Sequence, residues 1–252
     1  MRLKDRTAIV TGAAAGFGEG IARRFAAEGA RVIVADIDGA GAENVADSIR
    51  QGGGDAFACT CDVASGDSTR AMFAMAADRF DGRLDTMVCN AGVPQRNMPM
   101  RQVDEDTFDR IYAVNVKSLY YTAIHGVPLM EANGGAIIVT SSTAAVRPRP
   151  GLTWYNGSKG AASTLTKSMA LELAPLRIRV NAIHPVIGDT GMAVTFMGGE
   201  DTPEIRQKFI DTIPLGRMST PADIAGAALY FASDDGAFVT GVCMEVDGGR
   251  CV

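Results

Sequence analysis

The sequence predicts a single α/β domain, a doubly wound, mostly parallel sheet of seven strands with helices on both faces. Short apolar runs rich in β-branched residues alternate with helical patterns such as Ile21, Ala22, Phe25 and Ala26, which share one helix face. This alternation indicates right-handed βαβ units. The runs show little polar alternation, as expected of a sheet buried on both faces. The predicted strands span 7–10, 31–35, 55–60, 84–89, 136–140, 177–183 and 241–246.

Size and composition favour one domain and exclude several classes of partner. The chain has 252 residues, of which 47% are hydrophobic, enough to bury a sizeable core. A net charge of -5 with no cluster of Lys and Arg gives no reason to expect nucleic acid. No apolar stretch reaches about 18 residues, and the amino terminus runs straight into the first strand, so we expect a cytoplasmic protein without a membrane partner. His125 and His184 share no ligand spacing, which predicts no metal site.

The segment "TGAAAGFGEG" (11–20) places three glycines between the first strand and the first predicted helix. Glycines at such a turn let the backbone approach a pyrophosphate, and the free N–H groups of the helix N-terminus favour its negative charge. Gly12, Gly16 and Gly18 are therefore candidates for a dinucleotide site. Since the spacing is not the common G-x-G-x-x-G, a simple tight turn is the alternative.

Asp36 lies 20 residues after Gly16, just beyond the second strand. An acid at this place can accept hydrogen bonds from a ribose hydroxyl, although it could instead cap the following helix. A 2′-phosphate beside Asp36 would bring two anions together, and no Lys or Arg occurs at 13–17 or 32–49 to compensate. The sequence thus predicts NAD as cofactor, in preference to NADP.

Tyr155 and Lys159 are four residues apart in the helical segment "TWYNGSKGAAS" (153–163) and so share one helix face. A lysine beside a phenol would lower the pKa of the phenol from about 10 and make it a usable acid or base. The alternative is an amphipathic surface pair. Ser142 follows the fifth strand, at the sheet edge where ligands bind in such folds, and could contact a substrate oxygen or cap a turn.

These residues, taken in order, resemble the short-chain dehydrogenase/reductase family over essentially the whole chain. The loop of Gly12, Gly16 and Gly18 matches the family's T-G-x-x-x-G-x-G motif, and the segments "CDV" (61–63), "NAG" (90–92) and "DGG" (247–249) match further motifs. The resemblance implies a Rossmann-like fold and a catalytic set. In this set the Ser orients the reacting oxygen, the Tyr transfers a proton, the Lys holds the ribose, and the Asn positions a water. The matching residues are Asn115, Ser142, Tyr155 and Lys159.

The resemblance also implies a set of residues that bind NAD. Where the family usually has Pro-Gly after the sixth strand, this chain has Pro185 and Val186, with the glycine two places later at 188. The implied cofactor-binding residues are Gly12, Gly16, Phe17, Gly18, Asp36, Ile37, Asp62, Val63, Asn90, Ala91, Gly92, Tyr155, Lys159, Pro185, Gly188 and Thr190.

The expected activity is NAD(H)-dependent interconversion of a secondary alcohol and a ketone, with a small molecule as substrate. A 3-oxoacyl thioester (acyl carrier protein) reductase is the nearest alternative, because that activity shares these motifs. It normally uses NADPH, which Asp36 disfavours. A catalytically silent nucleotide-binding scaffold is an alternative of another class, and the intact set of four catalytic residues argues against it.

The stretch "PVIGDTGMAVTFMGGEDT" (185–202) looks irregular and is too long for an ordinary connection. Its apolar residues and glycines predict a substrate lid at about 188–212 and a preference for cyclic or aryl substrates. Trp154 is expected either to line this pocket or to pack against a helix. Arg147 and Arg149 are expected in a solvated loop, with contact to an anionic substrate as the alternative.

A homotetramer, or at least a dimer, is expected. The helix that holds Tyr155 is rich in small residues that allow close helix packing, and the resemblance implies pairing through this helix and the one around 107–127. The alternative is that these small residues pack within one subunit. They are Gly157, Gly160, Ala161 and Ala162.

Overall fold

The computed structural model describes all residues from 1 to 252. Its seven strands form one sheet in the order β3-β2-β1-β4-β5-β6-β7, and every neighbouring pair is parallel. The predicted fold class is therefore confirmed. The strands are β1 (Thr7–Thr11), β2 (Arg31–Asp36), β3 (Asp55–Thr60), β4 (Thr86–Cys89), β5 (Gly135–Thr140), β6 (Ile178–Pro185) and β7 (Cys243–Val246).

Nine α-helices cover the sheet and its carboxyl edge. The segment from α4 to residue 129 is one continuous helical stretch that includes two π-helical turns, at 113–117 and 122–126. The helices are α1 (Gly16–Ala27), α2 (Gly39–Gln51), α3 (Gly66–Arg79), α4 (Glu105–Tyr112), α5 (Ser118–Tyr121), α6 (Thr153–Leu173), α7 (Met192–Phe196), α8 (Pro203–Ile210) and α9 (Pro221–Ala232).

Two apolar cores lie on opposite faces of the sheet. Val10 and Val34 point to the face covered by α1, α2 and α9, whereas Ile9 and Ile33 point to the face covered by α3, α5 and α6. Successive side chains of a strand point to opposite faces, so the central strands must be apolar throughout. Since β1 has β2 on one side and β4 on the other, the chain reverses direction across the sheet there, which leaves a crevice at the carboxyl ends of these strands.

The predicted sixth strand is wrong by one residue at its start and by two at its end, and the fourth and seventh strands each begin two residues later than predicted. Arg177 has a φ of 58° and closes the turn after α6, so β6 begins at Ile178 and not at Arg177. β6 then continues to Pro185, which pairs with Val246 of β7. Gly241 has a φ of 74°, and therefore belongs to a turn before β7. None of the helices is long and apolar enough to cross a membrane.

Candidate active site

A cleft with a volume of about 370 Å³ lies at the carboxyl edge of the sheet. It is lined by the loop after β1, the ends of β2 to β6, the start of α6, and the segment after β6. Fifteen of the sixteen residues that were predicted to bind the cofactor line this cleft. They are Gly12, Gly16, Phe17, Asp36, Ile37, Asp62, Val63, Asn90, Ala91, Gly92, Tyr155, Lys159, Pro185, Gly188 and Thr190.

The glycine loop has a conformation that only glycine adopts easily. Gly12 and Gly16 have φ angles of 63° and 61°, in the left-handed region. A Cβ on Gly12 would lie 2.8 Å from the Cα of Ala91, so the loop packs directly on the end of β4. Gly18 has a different role, because it does not line the cleft and a Cβ there would overlap the carbonyl oxygen of Gly12. Its lack of a side chain allows α1 to pack against the loop.

Asp36 faces the glycine loop across the crevice. One carboxylate oxygen accepts the N–H of Ala14 at 3.0 Å, and the other accepts the N–H of Asp38 at 3.0 Å. The next helix has its own cap, because the side chain of Asp38 accepts the N–H of Gly41. Asp36 is therefore free of the helix-capping role, and its carboxylate lines the cleft where the ribose of a dinucleotide would lie.

Asn90 links the ends of three strands. Its amide nitrogen donates to the carbonyl oxygens of Thr11 and Gly12, each at 3.0 Å, and its amide oxygen accepts the hydroxyl of Thr140 at 3.2 Å. Both polar groups of the Asn90 side chain are thus used to fix the shape of the cleft. A contact between Asn90 and a cofactor would therefore come from its backbone and its Cβ.

The residues of the cleft fit a nicotinamide dinucleotide. The first N–H groups of α1 have no partner inside the helix and point toward the glycine loop. Gly12 and Gly16 line the cleft without side chains, so the backbone of this loop is open to a ligand. At one end, the Asp36 carboxylate can accept a hydrogen bond from a ribose hydroxyl. At the other end, the Lys159 ammonium can donate hydrogen bonds to a second ribose. This combination suits a ligand with a ribose, a pyrophosphate and a second ribose.

Tyr155, Ser142 and Lys159 meet at the carboxyl end of β5. Tyr155 is 6% exposed, Lys159 is 5% exposed, and all three line the cleft, so the alternative of a surface pair is wrong. Ser142 also caps a turn, since its hydroxyl accepts the N–H of Ala144 at 3.1 Å. Its two predicted roles are compatible, because Ser142 also lines the cleft.

The pKa of Tyr155 differs from the sequence-based expectation. Burial raises the pKa of Tyr155 to about 12, although the nearby hydroxyl of Ser142 and the charge of Arg149 act in the opposite direction. The ammonium of Lys159 lies 5.8 Å from the centroid of the Tyr155 ring. The expectation of a lowered pKa was wrong for the protein alone, because loss of hydration outweighs the nearby charges.

Lys159 is held by the backbone of β5. Its ammonium donates to the carbonyl oxygen of Thr140 at 2.9 Å, and burial lowers its pKa to about 8. A Cβ on Gly92 would lie 3.3 Å from this ammonium, so the "NAG" motif leaves room for the lysine. The ammonium still has two further N–H donors that can serve a bound ligand.

Asn115 lies behind the cleft and not on its surface. Its amide oxygen accepts the N–H of Val93 at 2.9 Å, and its nitrogen donates to the carbonyl of Val93 and to the hydroxyl of Ser158, each at 3.1 Å. Asn115 stands in the first π-helical turn and ties this turn to α6. The observed role of its side chain is to connect elements around Tyr155.

The displaced glycine after β6 contacts the glycine loop. A Cβ at Gly188 would overlap the ring of Phe17, and a Cβ at Gly16 would lie 3.3 Å from the methyl group of Thr190. Residues 188–190 therefore lie directly over the loop between β1 and α1. The absence of a side chain at Gly188 makes room for the Phe17 ring. Val186, two residues earlier, is buried.

The stretch 185–202 is less irregular than its sequence suggests. Its first residue ends β6, and α7 follows, with Ala193 and Met197 buried in a small cluster that includes Met218. Burial of these two residues, four positions apart, stabilises a helix where the glycines predicted a loop. Phe196 of α7 packs on Tyr155, with 5.2 Å between ring centroids. Phe196 thus brings residues 188–212, here called the lid segment, into contact with Tyr155.

Gln95 is a residue of the site that sequence reasoning missed. Its side chain is 1% exposed and its amide oxygen accepts the N–H groups of Trp154 and Tyr155, each at 3.1 Å. Its nitrogen donates to the carbonyl of Gly151 at 2.9 Å. Because α6 has no capping side chain of its own, Gln95 caps it from another loop. No local pattern links residues about 60 positions apart.

Trp154 packs against a helix, which is one of its two expected placements, whereas two arginines differ from the expectation. Trp154 does not line the cleft; it packs edge-on against Phe108 of α4 and donates to a backbone carbonyl. Arg147 and Arg149 do line the cleft, although a solvated loop was expected. A third arginine, Arg250 near the carboxyl terminus, joins them there and was not predicted.

Comparisons with known proteins agree with this geometry. A family model described as enoyl-(acyl carrier protein) reductase matches residues 12–250. A 4-formylbenzenesulfonate dehydrogenase of Comamonas testosteroni is 48% identical over 251 residues, which are 99% of this chain and 99% of the relative. The chain therefore belongs to the short-chain dehydrogenase/reductase family.

Two solved structures resemble the chain over nearly its full length. A 3-ketoacyl-(acyl-carrier-protein) reductase from Brucella melitensis, complexed with NADH, is 41% identical, with a TM-score of 0.92 over 99% of this chain and 100% of that chain. A 7α-hydroxysteroid dehydrogenase, complexed with NADH and 7-oxo glycochenodeoxycholic acid, is 39% identical, with a TM-score of 0.93 over 98% and 95%. This protein is accordingly an NAD-dependent oxidoreductase that interconverts an alcohol and a ketone.

Proposed function

We propose that the protein oxidises a cyclic or aryl secondary alcohol to the ketone, and performs the reverse reduction, with Tyr155 as the acid and base. The observation that carries this proposal is the convergence of Tyr155, Ser142 and Lys159 in the cleft that also contains the glycine loop. Bound NAD(H), held by the glycine loop, Asp36 and Lys159, would supply the hydride chemistry at the alcohol or ketone carbon. The remaining proton of the alcohol hydroxyl passes to the phenolate of Tyr155.

The other side chains hold the reacting groups in place. The Ser142 hydroxyl donates to or accepts from the substrate oxygen, and Lys159 supplies a positive charge beside the phenol and donors to the ribose. Asn115 maintains the positions of Val93 and Ser158 and so supports α6, in addition to the water-positioning role that the family resemblance implies. We also propose that NAD is preferred over NADP, because the Asp36 carboxylate occupies the place where a 2′-phosphate would lie.

The apolar residues over Tyr155 support the proposed substrate class. Phe196, Met192 and Leu152 line the cleft around one polar centre formed by Tyr155 and Ser142. Such a surface favours a ring system over a polyhydroxylated sugar, whose hydroxyls would lose water without new partners. The lid segment would close over this ring in the proposed mechanism.

A 3-oxoacyl thioester reductase remains the second candidate. The likeness to a 3-ketoacyl-(acyl-carrier-protein) reductase supports it. The NADH in that structure belongs to the other protein and does not decide between the candidates. The apolar residues of the lid segment that line the cleft favour a small cyclic molecule here.

The experiment is to follow the absorbance of reduced nicotinamide while the enzyme meets a panel of compounds. We expect the highest kcat/KM for cyclic or aryl secondary alcohols with NAD, and lower values for hexoses and for 3-oxoacyl thioesters with NADH or NADPH. A clear preference for a thioester would replace the proposal with the second candidate. We place the reaction in the cytoplasm, where the five free cysteines would stay reduced.

A further inference from the structure

Three arginines meet at one end of the cleft. Arg147 and Arg149 follow the turn that Ser142 caps, and Arg250 comes from the tail after β7, so distant parts of the chain contribute to one surface. The guanidinium of Arg147 donates to the backbone carbonyl of Arg250. Arg149 lies over the ring of Phe209 in α8, with 4.8 Å between its guanidinium carbon and the ring centroid.

None of the ion pairs in the protein includes these three arginines. Other arginines do form ion pairs. Arg206 pairs with the carboxylate of Asp189 at 2.8 Å, and Arg217 pairs with that of Asp223 at 2.6 Å. The closest acid in sequence, Asp247, uses its two oxygens on the N–H groups of Gly249 and Cys251. The three guanidinium groups thus keep donors available to a ligand.

The surroundings of Arg149 and Arg250 disfavour the charged form of both side chains. Burial lowers the pKa of Arg149, and the charge of Arg250 lowers it further; burial and the charge of Arg147 do the same to Arg250. Arg149 and Arg250 are half-buried and Arg147 is exposed, and like charges held this close repel one another unless an anion joins them. The arrangement is therefore typical of a binding site for an anion and not of a stabilising cluster.

The cluster lies close to the reacting centre. Arg149 is near enough to Tyr155 for its charge to lower the pKa of the phenol. Acidic Asp36 and Asp62 line the cofactor end of the same cleft. An anionic group of the substrate would be attracted to the arginine end only, with its ring against Phe196 and Phe209 and its hydroxyl or carbonyl at Tyr155.

We propose that Arg147, Arg149 and Arg250 bind a carboxylate or sulfonate of the substrate, which is a cyclic or aryl alcohol or ketone that carries this anion on its ring. The inference rests on the proposed function for the reacting end of the substrate. Guanidinium groups suit both anions because their paired N–H donors match two oxygens. The site thus determines specificity for charged aromatic or alicyclic substrates over neutral ones.

The first test measures binding, which does not depend on turnover. Isothermal titration calorimetry with the enzyme and NADH compares 4-acetylbenzenesulfonate and 4-acetylbenzoate with neutral acetophenone. We expect at least one anion to bind about tenfold or more tightly than acetophenone, and this advantage to disappear in Arg149→Gln and Arg250→Gln. Arg101→Gln, which removes an exposed charge outside the cleft, should keep the advantage. Equal binding of charged and neutral ketones would overturn the proposal.

The second test measures selectivity in turnover, as the ratio of kcat/KM for 4-(1-hydroxyethyl)benzenesulfonate or 4-(1-hydroxyethyl)benzoate to that for 1-phenylethanol. A ratio of about ten or more that falls toward one in the arginine variants supports the proposal, and the two anions distinguish sulfonate from carboxylate recognition. A ratio near one, with good turnover of 1-phenylethanol, would overturn the anion site and leave the proposed function intact. Tight binding of the anions without any oxidation would instead contradict the proposed function. Preference for acetoacetyl-CoA over all aryl compounds would contradict both.

Discussion

At the scale of single residues, burial has the largest effect on the catalytic pair. Burial raises the pKa of Tyr155 to about 12 and lowers the pKa of Lys159 to about 8, so it favours the neutral form of each. Ser142 and Arg149 lower the pKa of the phenol, and a bound oxidised nicotinamide would add a further positive charge. Tyr155 is therefore expected to be protonated at neutral pH in the protein alone.

The raised pKa of Tyr155 predicts different pH dependences for the two directions. Oxidation of an alcohol needs the phenolate of Tyr155, and below the pKa of about 12 its fraction increases with pH. We therefore expect kcat/KM for alcohol oxidation to rise between about pH 7 and pH 9, while kcat/KM for ketone reduction, which needs the neutral phenol, does not rise. The measurement is the initial rate of alcohol oxidation and of ketone reduction across this pH range, with a substrate for which the chemical step is slow. Oxidation that slows as pH rises would contradict the role of Tyr155 as base.

Asp36 determines the predicted choice of cofactor. Wild-type enzyme should have a higher kcat/KM with NAD than with NADP, and Asp36→Asn should raise the NADP-to-NAD ratio about tenfold by removing the repulsion of a 2′-phosphate. Asp38→Asn is the matched control, because Asp38 is exposed, is two residues away and caps α2 without lining the cleft. An equal effect of both substitutions would indicate general charge repulsion instead of a contact at Asp36.

At the scale of elements, the active-site helix α6 depends on a residue from another loop. Gln95→Leu would leave the N–H groups of Trp154 and Tyr155 without their partner in a buried place. We expect the free energy of unfolding to fall by about 1–3 kcal/mol, and kcat to fall because Tyr155 is the third residue of the helix. Urea denaturation and steady-state kinetics measure the two effects.

Asn97→Ala is the control for Gln95. Asn97 donates to the Pro150 carbonyl from an exposed position in the same loop. Its loss should change stability by less than about 0.5 kcal/mol, because water can replace an exposed partner. A similar loss of stability in both variants would show that Gln95 has no special role at the start of α6.

The sequence predicted the elements better than the contacts between them. Apolar runs fix the strands, and the glycine loop, Asp36 and Tyr155 follow from their distances along the chain, so the cleft could be anticipated. Gln95 and Arg250 could not be, since each reaches the site from a remote segment and has no local pattern. The pKa of Tyr155 was misjudged for a related reason: a neighbouring charge is visible in the sequence, whereas the extent of burial is a property of the folded chain.

At the scale of the whole molecule, two helical surfaces are left without partners. Gly160 on α6 has nothing within 4 Å of the position of its missing side chain, so packing within one subunit does not explain this glycine. Leu171 on the same helix is 81% exposed. Tyr120 and Ile124, in the helical stretch from α4 to residue 129, are also exposed. Apolar surface of this kind is typical of a contact between subunits.

We predict that the protein forms a homotetramer through these surfaces, or at least a dimer. Multi-angle light scattering at micromolar concentration should give the mass of four chains, and Gly160→Arg should lower it because the new side chain keeps the helices apart. Ala40→Arg, on the exposed side of α2 at the far edge of the sheet, should leave the mass unchanged. A wild-type mass of a single chain would contradict the prediction.

The central claim is that Tyr155 transfers the proton in an NAD-dependent alcohol oxidation, and Tyr155→Phe tests it most directly. The substitution removes only the hydroxyl, so NADH binding, measured by fluorescence titration, should change by less than about twofold, while kcat/KM for alcohol oxidation falls by about 10² or more. Tyr230→Phe, on α9 outside the cleft, should retain wild-type rates. Retention of more than about a tenth of the activity by Tyr155→Phe would contradict the account, because proton transfer by a positioned side chain contributes at least that much.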